Sequence, residues 1–265
     1  MSSPSAADAP QPPENMPFAA PCRPLAPTAP LRWLRLGWAD LARAPRLSLS
    51  YGLALTLLSM AIAGLTWRFG TIALYIGLAT GFVFVGPVLA VGLYSISRQL
   101  GRGQRPVMGY CLREGRAHLR ELLVLGMLLL VVLLVWARAA AMVYVFFPTD
   151  GSPTLREMLP FLAIGSTVGA LFSAIIFAAT AFSLPMILDR RTDAVTAVVT
   201  SINAVLRNKG PLLLWAGLIG AAVALGFATA FLAFLVLLPL IGHATWHAYA
   251  ETIDASAWPQ NVPQD

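Results

Sequence analysis

The sequence predicts an all-α protein, a polytopic transmembrane helical bundle of about six spans with amphipathic interfacial connector helices. Of the 265 residues, 58% are hydrophobic and only 11% are charged, whereas soluble domains carry about 25% charged residues. The charges fall in a few segments, separated by apolar runs of about twenty residues or more, which match the roughly 30 Å hydrocarbon core of a bilayer. Because unpaired backbone groups are too costly in lipid, such runs are helical.

The two ends of the chain are predicted to lie outside the membrane domain, residues 31–252. Residues 1–30 hold nine prolines among Ala, Ser and Gln, which predicts a disordered tail and not a signal peptide. Residues 253–265 are predicted to be a second disordered tail. The stretch LRWLRLGWADLARAPRLS, from Leu31, predicts an interfacial amphipathic helix with Trp33 and Trp38 at the headgroup level, or simply a basic anchor before the first span.

Six candidate spans follow, at about 47–66, 71–95, 122–147, 159–188, 212–227 and 229–250. The last two come from one apolar stretch, 212–250, which is long for one helix and short for two full spans with a turn. Gly226 and Thr229 offer a weak break there, and Pro239 a kink.

Two connectors, 106–120 and 193–207, have apolar residues at helical spacing, so each predicts an amphipathic helix lying on the membrane or against the bundle. In the second connector, Asp193 could cap the helix. Its apolar face is assigned to Val195, Val198, Val199, Ile202, Val205 and Leu206, with Thr200 and Arg207 among the residues opposite.

Basic residues predict the orientation of the chain. Fifteen of the eighteen Lys and Arg residues fall in the amino-terminal region or in the connectors after the second and fourth spans. The opposite loops hold only Arg68 and Arg156. The positive-inside rule therefore places the amino terminus in the cytoplasm. The charge faces anionic lipid headgroups, which argues against a nucleic-acid partner. The carboxyl tail has no Lys or Arg, so six spans would place it inside and five outside.

Two spans carry a proline at corresponding places, Pro87 after Gly86 and Pro185 after Leu184. Each is followed by an amphipathic connector and a further span. Kinked helices in two halves of a membrane protein point to a transport or binding site. Proline kinks are also common in helices that merely pack, so both interpretations stay open.

Three stretches carry a family resemblance: GPVLAVGLYSISRQLGRG (86–103), LPMILDRRTDAVTAVVTSINAVLRN (184–208) and LPLIGHATWHAYAE (238–251). Together they resemble the bacterial integral membrane proteins of the domain of unknown function 2189 family, over about residues 31–252. The resemblance implies a multi-pass protein of the bacterial inner membrane without an established activity. Some members have been labelled cytochrome c oxidase subunit I-like. A basic residue is expected after the Tyr of the last stretch, whereas here Ala250 follows Tyr249.

The histidine pair in the last stretch is the candidate metal site. His243 and His247 lie at i and i+4 on one helix face, so both imidazoles could bind one metal ion. Glu251 continues the face but lies about 12 Å from His243 along the helix, so a third ligand would have to be His118 or Cys111. Haem could use only one of the two histidines. Alternatively, the pair belongs to a polar-aromatic belt where the last helix leaves the membrane.

Arg138 is the one basic residue inside a predicted span. An arginine near a helix centre costs about 2.5–3.5 kcal/mol on insertion scales, so it should face a partner or a water-filled cavity. The candidate partners are an anionic ligand, backbone carbonyls near Pro87 or Pro185, and the hydroxyls of Ser166, Thr167 and Ser173. Alternatively, its side chain snorkels toward the outer face.

Catalytic motifs are missing: the sequence has no P-loop, no nucleophile elbow, no clustered carboxylates and no histidine placed to activate a Ser or Thr. We therefore expect no enzyme and no cofactor, but a structural, assembly or interaction component with a membrane-protein partner or a second copy of itself. One alternative is a small-molecule or ion transporter with a midplane site near Arg138. Another is a haem- or metal-binding protein associated with the respiratory chain.

Overall fold

The computed structural model describes residues 17–70, 89–143 and 154–261. Most of the predicted second span, with Pro87, lies outside the described residues. Within them the chain is helical, with two isolated antiparallel bridges and no strand, which confirms the predicted helical bundle. The helices are α1 Ala29–Arg43, α2 Pro45–Phe69, α3 (89–101), α4 Met108–Ala117, α5 Leu119–Val143, α6 Leu155–Thr180, α7 Ser183–Asp189, α8 Ala194–Arg207, α9 Lys209–Ala228 and α10 Phe234–Thr252.

Four of the described segments are long and apolar enough to cross a membrane: Pro45–Phe69, Leu119–Val143, Leu155–Asp189 and Lys209–Ala228. They correspond to the predicted first, third, fourth and fifth spans. The predicted sixth span, α10, is long enough but is not among them. Its second half carries two histidines, Thr245 and Glu251, which lower its mean hydropathy.

The apolar stretch 212–250 forms a hairpin of α9 and α10, divided where the sequence predicts its break. Ala230 and Phe231 adopt positive φ angles of 48° and 70°. Thr229 Oγ1 lies 2.8 Å from the Leu225 carbonyl oxygen and accepts from the Ala233 N–H at 3.1 Å. A single hydroxyl therefore bonds a carbonyl before the turn and an N–H group after it.

The turn of the hairpin does not reach the far end of α2. A Cβ atom on Gly52, near the start of α2, would overlap the carbonyl oxygen of Leu235, near the start of α10. The hairpin turn therefore lies close to the level of Gly52. From there α2 continues to Phe69, about 25 Å further at 1.5 Å per residue. The stretch forms two helices, of which α9 is long and apolar enough to cross a membrane, and the count of two separate spans, 212–227 and 229–250, stays a prediction.

Both chain ends pack together at one end of the bundle, the tail face, which holds residues 17–28 and 253–261. Arg23 N–H donates to the Thr252 carbonyl and Asp254 N–H to the Pro21 carbonyl, each at 2.8 Å. Ile253 and Trp258 are buried. The prediction of disorder is thus wrong for these residues, because the two tails satisfy each other's backbone groups and bury apolar side chains; residues 1–16 and 262–265 lie outside the described ranges.

Helix α1 packs along the second half of α10. Gly37 permits this contact, since a Cβ there would lie 2.8 Å from the Ala244 backbone nitrogen. Trp33 is fully buried, with its ring edge-to-face against Trp215 at 5.7 Å, while Trp38 is 54% exposed. The Trp33 indole therefore packs inside the protein, and the predicted headgroup level of the two indoles stays a prediction.

Helix α8 is the amphipathic helix predicted for the second connector, and Asp193 caps it by accepting from the N–H groups of Val195 and Thr196 at 2.9 Å. Its buried face is made of small residues: Ala194, Ala197, Thr200, Ser201 and Ala204. Val195 and Leu206, on the predicted apolar face, are 46% and 58% exposed. Small side chains let α8 approach the bundle closely, while Val198 and Val205 pack at the edge of the core and Val195 and Leu206 are exposed.

Candidate functional site

The predicted metal ligand His243 is fully buried between two hydroxyls. Its Nε2 lies 2.8 Å from Ser48 Oγ of α2, and its Nδ1 lies 2.8 Å from Ser97 Oγ of α3. Both ring nitrogens are thus engaged, and the two serines are at most 1% exposed. The arrangement holds three helices together and is closed to solvent.

The other two polar residues of this α10 face contact α1. His247 Nε2 lies 2.7 Å from Asp40 Oδ2. The Glu251 carboxylate accepts two hydrogen bonds from the Arg32 guanidinium and one, at 3.0 Å, from Trp33 Nε1. Spacing therefore identified one polar face correctly, and each of its side chains has its own partner.

No third ligand joins the histidine pair within the parts of the chain that the structure describes, where no group of three or more His, Cys, Asp or Glu is placed to hold a metal ion. Of the two candidates, Cys111 Sγ accepts a hydrogen bond from Gln99 at 3.4 Å. His118 contacts Glu114 and Asn261. Ser48 and Ser97, the actual partners of His243, carry no local sequence signal because they lie 195 and 146 positions away.

The proline at 185 interrupts the fourth span rather than bending it. Proline lacks an N–H and its ring clashes with the carbonyl four residues earlier, here that of Ala181. Accordingly α6 ends at Thr180 and α7 begins at Ser183. Ser201 of α8 bridges the gap, accepting from Phe182 N–H at 3.1 Å and donating to the Ala178 carbonyl at 2.7 Å. The interruption is filled by α8, and Pro185 is buried.

Arg138 lies on the surface of α5, exposed, five residues before the helix ends at Val143. Of its predicted partners, Thr167 donates instead to the Ala163 carbonyl, at 2.8 Å. Among the described residues, the Arg138 side chain makes no hydrogen bond or ion pair. Its exposed position on α5 fits the snorkelling interpretation, since a long basic side chain can extend along a helix toward the membrane interface.

A buried ion pair, unforeseen from sequence, joins Arg98 of α3 to Glu114 of α4, with side chains 3% and 9% exposed. Arg98 Nη1 also donates to the Leu188 carbonyl at 2.9 Å, and Nη2 to the Tyr110 hydroxyl at 3.3 Å. From the sequence alone, Arg98 is only one of the charges that orient the chain. It instead ties α3, α4 and α7 together at the tail face.

An open cleft of about 720 Å³ lies at the tail face. It is bounded by the start of α5, the loop 190–193 with the first turn of α8, and both tails. Its lining includes the basic residues His118, Arg120, Arg190 and Arg191 and the apolar residues Phe18, Val124, Val195 and Trp258.

His118 holds the carboxyl tail at the edge of this cleft. Its Nδ1 donates to the Glu114 carbonyl at 2.8 Å, so Nε2 of the neutral ring accepts from Asn261 Nδ2 at 2.9 Å. Burial, with Arg98 nearby, lowers the pKa of His118. The same Asn261 nitrogen lies 2.9–3.1 Å from three carbonyl oxygens at the end of α7, those of Ile187, Leu188 and Arg190.

The arginines of the cleft differ in their bonding. Arg190 Nε donates to Asp189 at 2.8 Å and Nη1 to the Trp258 carbonyl at 2.9 Å. Arg120 and Arg191 are exposed, and their side chains make no hydrogen bond or ion pair with the described part of the protein. The cleft therefore presents two guanidinium groups with free donors, and its chemistry suits an anion.

Residues 74–189 match the family model described as "Predicted integral membrane protein (DUF2189)". The match confirms the family resemblance and the assignment as an integral membrane protein. The range is narrower than the resemblance implied: it contains the stretch 86–103, only the beginning of 184–208, and none of 238–251. No curated protein and no solved structure matches the chain.

Proposed function

We propose that this integral membrane protein is a multi-pass component of the bacterial inner membrane whose tail face lies in the cytoplasm. It acts there as a non-enzymatic structural, assembly or interaction component. The observation that carries the proposal is the tail face itself. One layer is formed there by α1, α3, α4, α7, α10 and both tails. It is held together by polar side chains that the sequence predicted to be metal ligands or orienting charges.

The orientation is supported by geometry and charge together. The paired tails lie on the same side, and the α9–α10 hairpin starts and ends at that side. Arg68 ends α2 and Arg156 begins α6, both at the opposite end of the bundle. The fifteen residues of the basic majority lie in the amino-terminal region and in two connectors, and Arg98 and Arg190 of these connectors bond beside the carboxyl tail. The positive-inside rule assigns that side to the cytoplasm.

Cysteine labelling tests this topology in intact cells, in a background with Cys22→Ser and Cys111→Ser. Trp67, at the far end of α2, is 93% exposed, so a membrane-impermeant maleimide should label Trp67→Cys without lysis. Arg102→Cys, at the tail face, should react only after lysis. Labelling of Arg102→Cys in intact cells would contradict the proposed orientation. Leu232→Cys, in the hairpin turn, should stay unlabelled in intact cells because the hairpin does not reach the far face.

The interaction role is tested by a photo-crosslinking amino acid at Arg116, which is exposed on α4, with the same substitution at Trp67 as the matched control. A component that binds a partner through its tail face should give one discrete protein adduct at Arg116 and none at Trp67. Identical patterns at both positions would contradict the proposal. A Soret band or stoichiometric metal in the purified protein would favour the respiratory-chain alternative.

A further inference from the structure

The tail-face cleft lies where the bundle meets the membrane. Its α5 wall begins with Arg120 in the first turn and continues to Val124. From there α5 exposes an apolar surface, with Met127 58% and Val131 58% exposed. The cleft therefore opens beside the lipid-facing surface of a spanning helix, at the depth of lipid headgroups.

The charge available to a ligand comes from Arg120 and Arg191. Arg190 is already bonded to Asp189 and the tail, as described above. The acidic Asp193, which also lines the cleft, uses both carboxylate oxygens on the first turn of α8, accepting from two N–H groups and from Thr196 Oγ1 at 2.7 Å. Glu121 is the other acid of the lining, so the three arginines of the cleft, Arg120, Arg190 and Arg191, exceed its two carboxylates by one.

Two exposed guanidinium groups on an open cleft match phosphate chemistry, since arginine binds phosphate oxygens in bidentate fashion. The apolar residues on both walls, Val124 on α5 and Val195 on α8, extend the cleft toward lipid. Basic pockets between helices at the cytoplasmic side are a known way to hold anionic lipid headgroups.

We infer that this cleft binds a phosphate-bearing anion through Arg120 and Arg191, and that the phosphodiester of an anionic phospholipid is its ligand. The inference rests on the proposed function only for the leaflet concerned, the cytoplasmic one. Binding itself is independent of orientation and of any protein partner.

Native mass spectrometry of the purified full-length protein, titrated with phosphatidylglycerol and separately with phosphatidylcholine, tests the inference. The pair Arg120→Gln and Arg191→Gln should weaken phosphatidylglycerol binding at least tenfold and leave phosphatidylcholine binding unchanged. The matched control pair is Arg113→Gln and Arg116→Gln, which removes two exposed tail-face arginines outside the cleft. It should change phosphatidylglycerol affinity less than twofold.

Equal weakening by both pairs would overturn the inference, because it would show a diffuse attraction to the basic surface. Unchanged binding in the cleft pair would also overturn it. Thermal shift with inorganic phosphate, in detergent without anionic lipid, separates the two sources of the anion. Stabilisation that depends on Arg120 and Arg191 there, without selective phosphatidylglycerol binding, would support the phosphate site and reject its assignment to lipid. These measurements use purified protein and need no protein partner. Lipid binding can therefore be absent while the crosslinking test of the proposed function succeeds, and it can be present while the crosslinking test fails.

Discussion

At the residue scale, His243 links α10 to α2 and α3 through hydrogen bonds. A neutral imidazole has one donor and one acceptor nitrogen, and here each faces a serine hydroxyl that can play the complementary role. Removing the ring leaves two buried hydroxyls unpaired, which costs about 1–3 kcal/mol for each group. The position is thus sensitive to loss of its polar atoms.

We expect His243→Leu to lower the stability of the protein by about 2 kcal/mol in all, since the serines can turn partly to their own backbone. The measurement is thermal unfolding of the purified protein in detergent. The triple variant His243→Leu, Ser48→Ala and Ser97→Ala removes both sides of each bond and should recover much of the loss. A triple variant less stable than the single one would show that the hydrogen bonds are not the cause.

His118 makes the contact of the carboxyl tail dependent on pH. Its pKa is lowered from the ordinary 6.5, chiefly by burial, so the folded protein favours the neutral ring. The contribution of this group to stability is therefore fully present above about pH 6.5 and is lost as the pH falls, because the unfolded chain binds the proton first. Protonation also turns Nε2 into a donor, which then faces the amide nitrogen of Asn261.

Hydrogen exchange of residues 255–261 measures this effect. After correction for intrinsic rates, we expect exchange to rise several-fold between pH 7.5 and pH 5. His118→Gln should remove the rise, because an amide can donate to the Glu114 carbonyl and accept from Asn261 at either pH. A rise that persists in His118→Gln would assign the pH dependence to another group.

The spacing of His243, His247 and Glu251 was enough to predict from sequence that they share a helix face. Their partners could not be predicted, because Ser48, Asp40 and Arg32 lie 195, 207 and 219 positions away. The same limit applies to Arg98. The distribution of basic residues indicated only that it orients the chain, whereas the fold shows that it is buried and paired with Glu114.

At the element scale, α8 shows that hydropathy alone does not identify a packing face. The sequence left open whether its apolar face lies on the membrane or against the bundle, and in the structure Ala197, Thr200 and Ser201 face the bundle. Close approach of two helices requires small residues, and the polar atoms of Ser201 satisfy the backbone at the α6–α7 break. Near a membrane, the side of a helix that faces away from the bundle can also be apolar. The face with the larger aliphatic residues therefore does not identify the side that packs inside.

Close approach also governs the contact between α2 and α10. A Cβ on Gly52 would lie 2.0 Å from the Leu235 carbonyl oxygen, a backbone atom, whereas a Cβ on Gly64 of the same helix meets nothing within 4 Å. We expect Gly52→Ala to destabilise the protein by about 1–3 kcal/mol, the usual cost of overpacking.

Gly64→Ala is the matched control in the same thermal unfolding measurement. It should leave stability unchanged or raise it by up to about 1 kcal/mol, because alanine is the better helix former. Equal behaviour of the two variants would contradict the close contact of α2 with α10.

At the scale of the whole molecule, the sequence left open whether the carboxyl tail lies inside or outside, because the count of spans decided it. In the structure, the pairing of the two tails decides whether they lie on the same side. Cys22 and Ile253 form an antiparallel bridge, so the two tails lie on one side whether the α9–α10 hairpin crosses the membrane or only enters it. Hydropathy cannot predict this, because it reports which residues avoid water and not how deep a hairpin reaches.

The bridge itself can be trapped covalently. The hydrogen bonds flank the pair, from Arg23 to Thr252 and from Asp254 to Pro21. This is the arrangement in which facing Cα atoms are closest, about 4.5 Å, within the roughly 4.4–6.8 Å range of disulfides. We expect Ile253→Cys to form a disulfide with native Cys22 under mild oxidation.

Counting free thiols with a maleimide mass tag checks this outcome. The oxidised variant, unfolded without reductant so that the buried Cys111 can react, should carry one tag, and three when it is unfolded after reduction. Adding Cys22→Ser to Ile253→Cys should leave two tags under both conditions. Three tags in the oxidised Ile253→Cys variant would place the tails apart. That result would also remove the basis for assigning both tails to one side of the membrane.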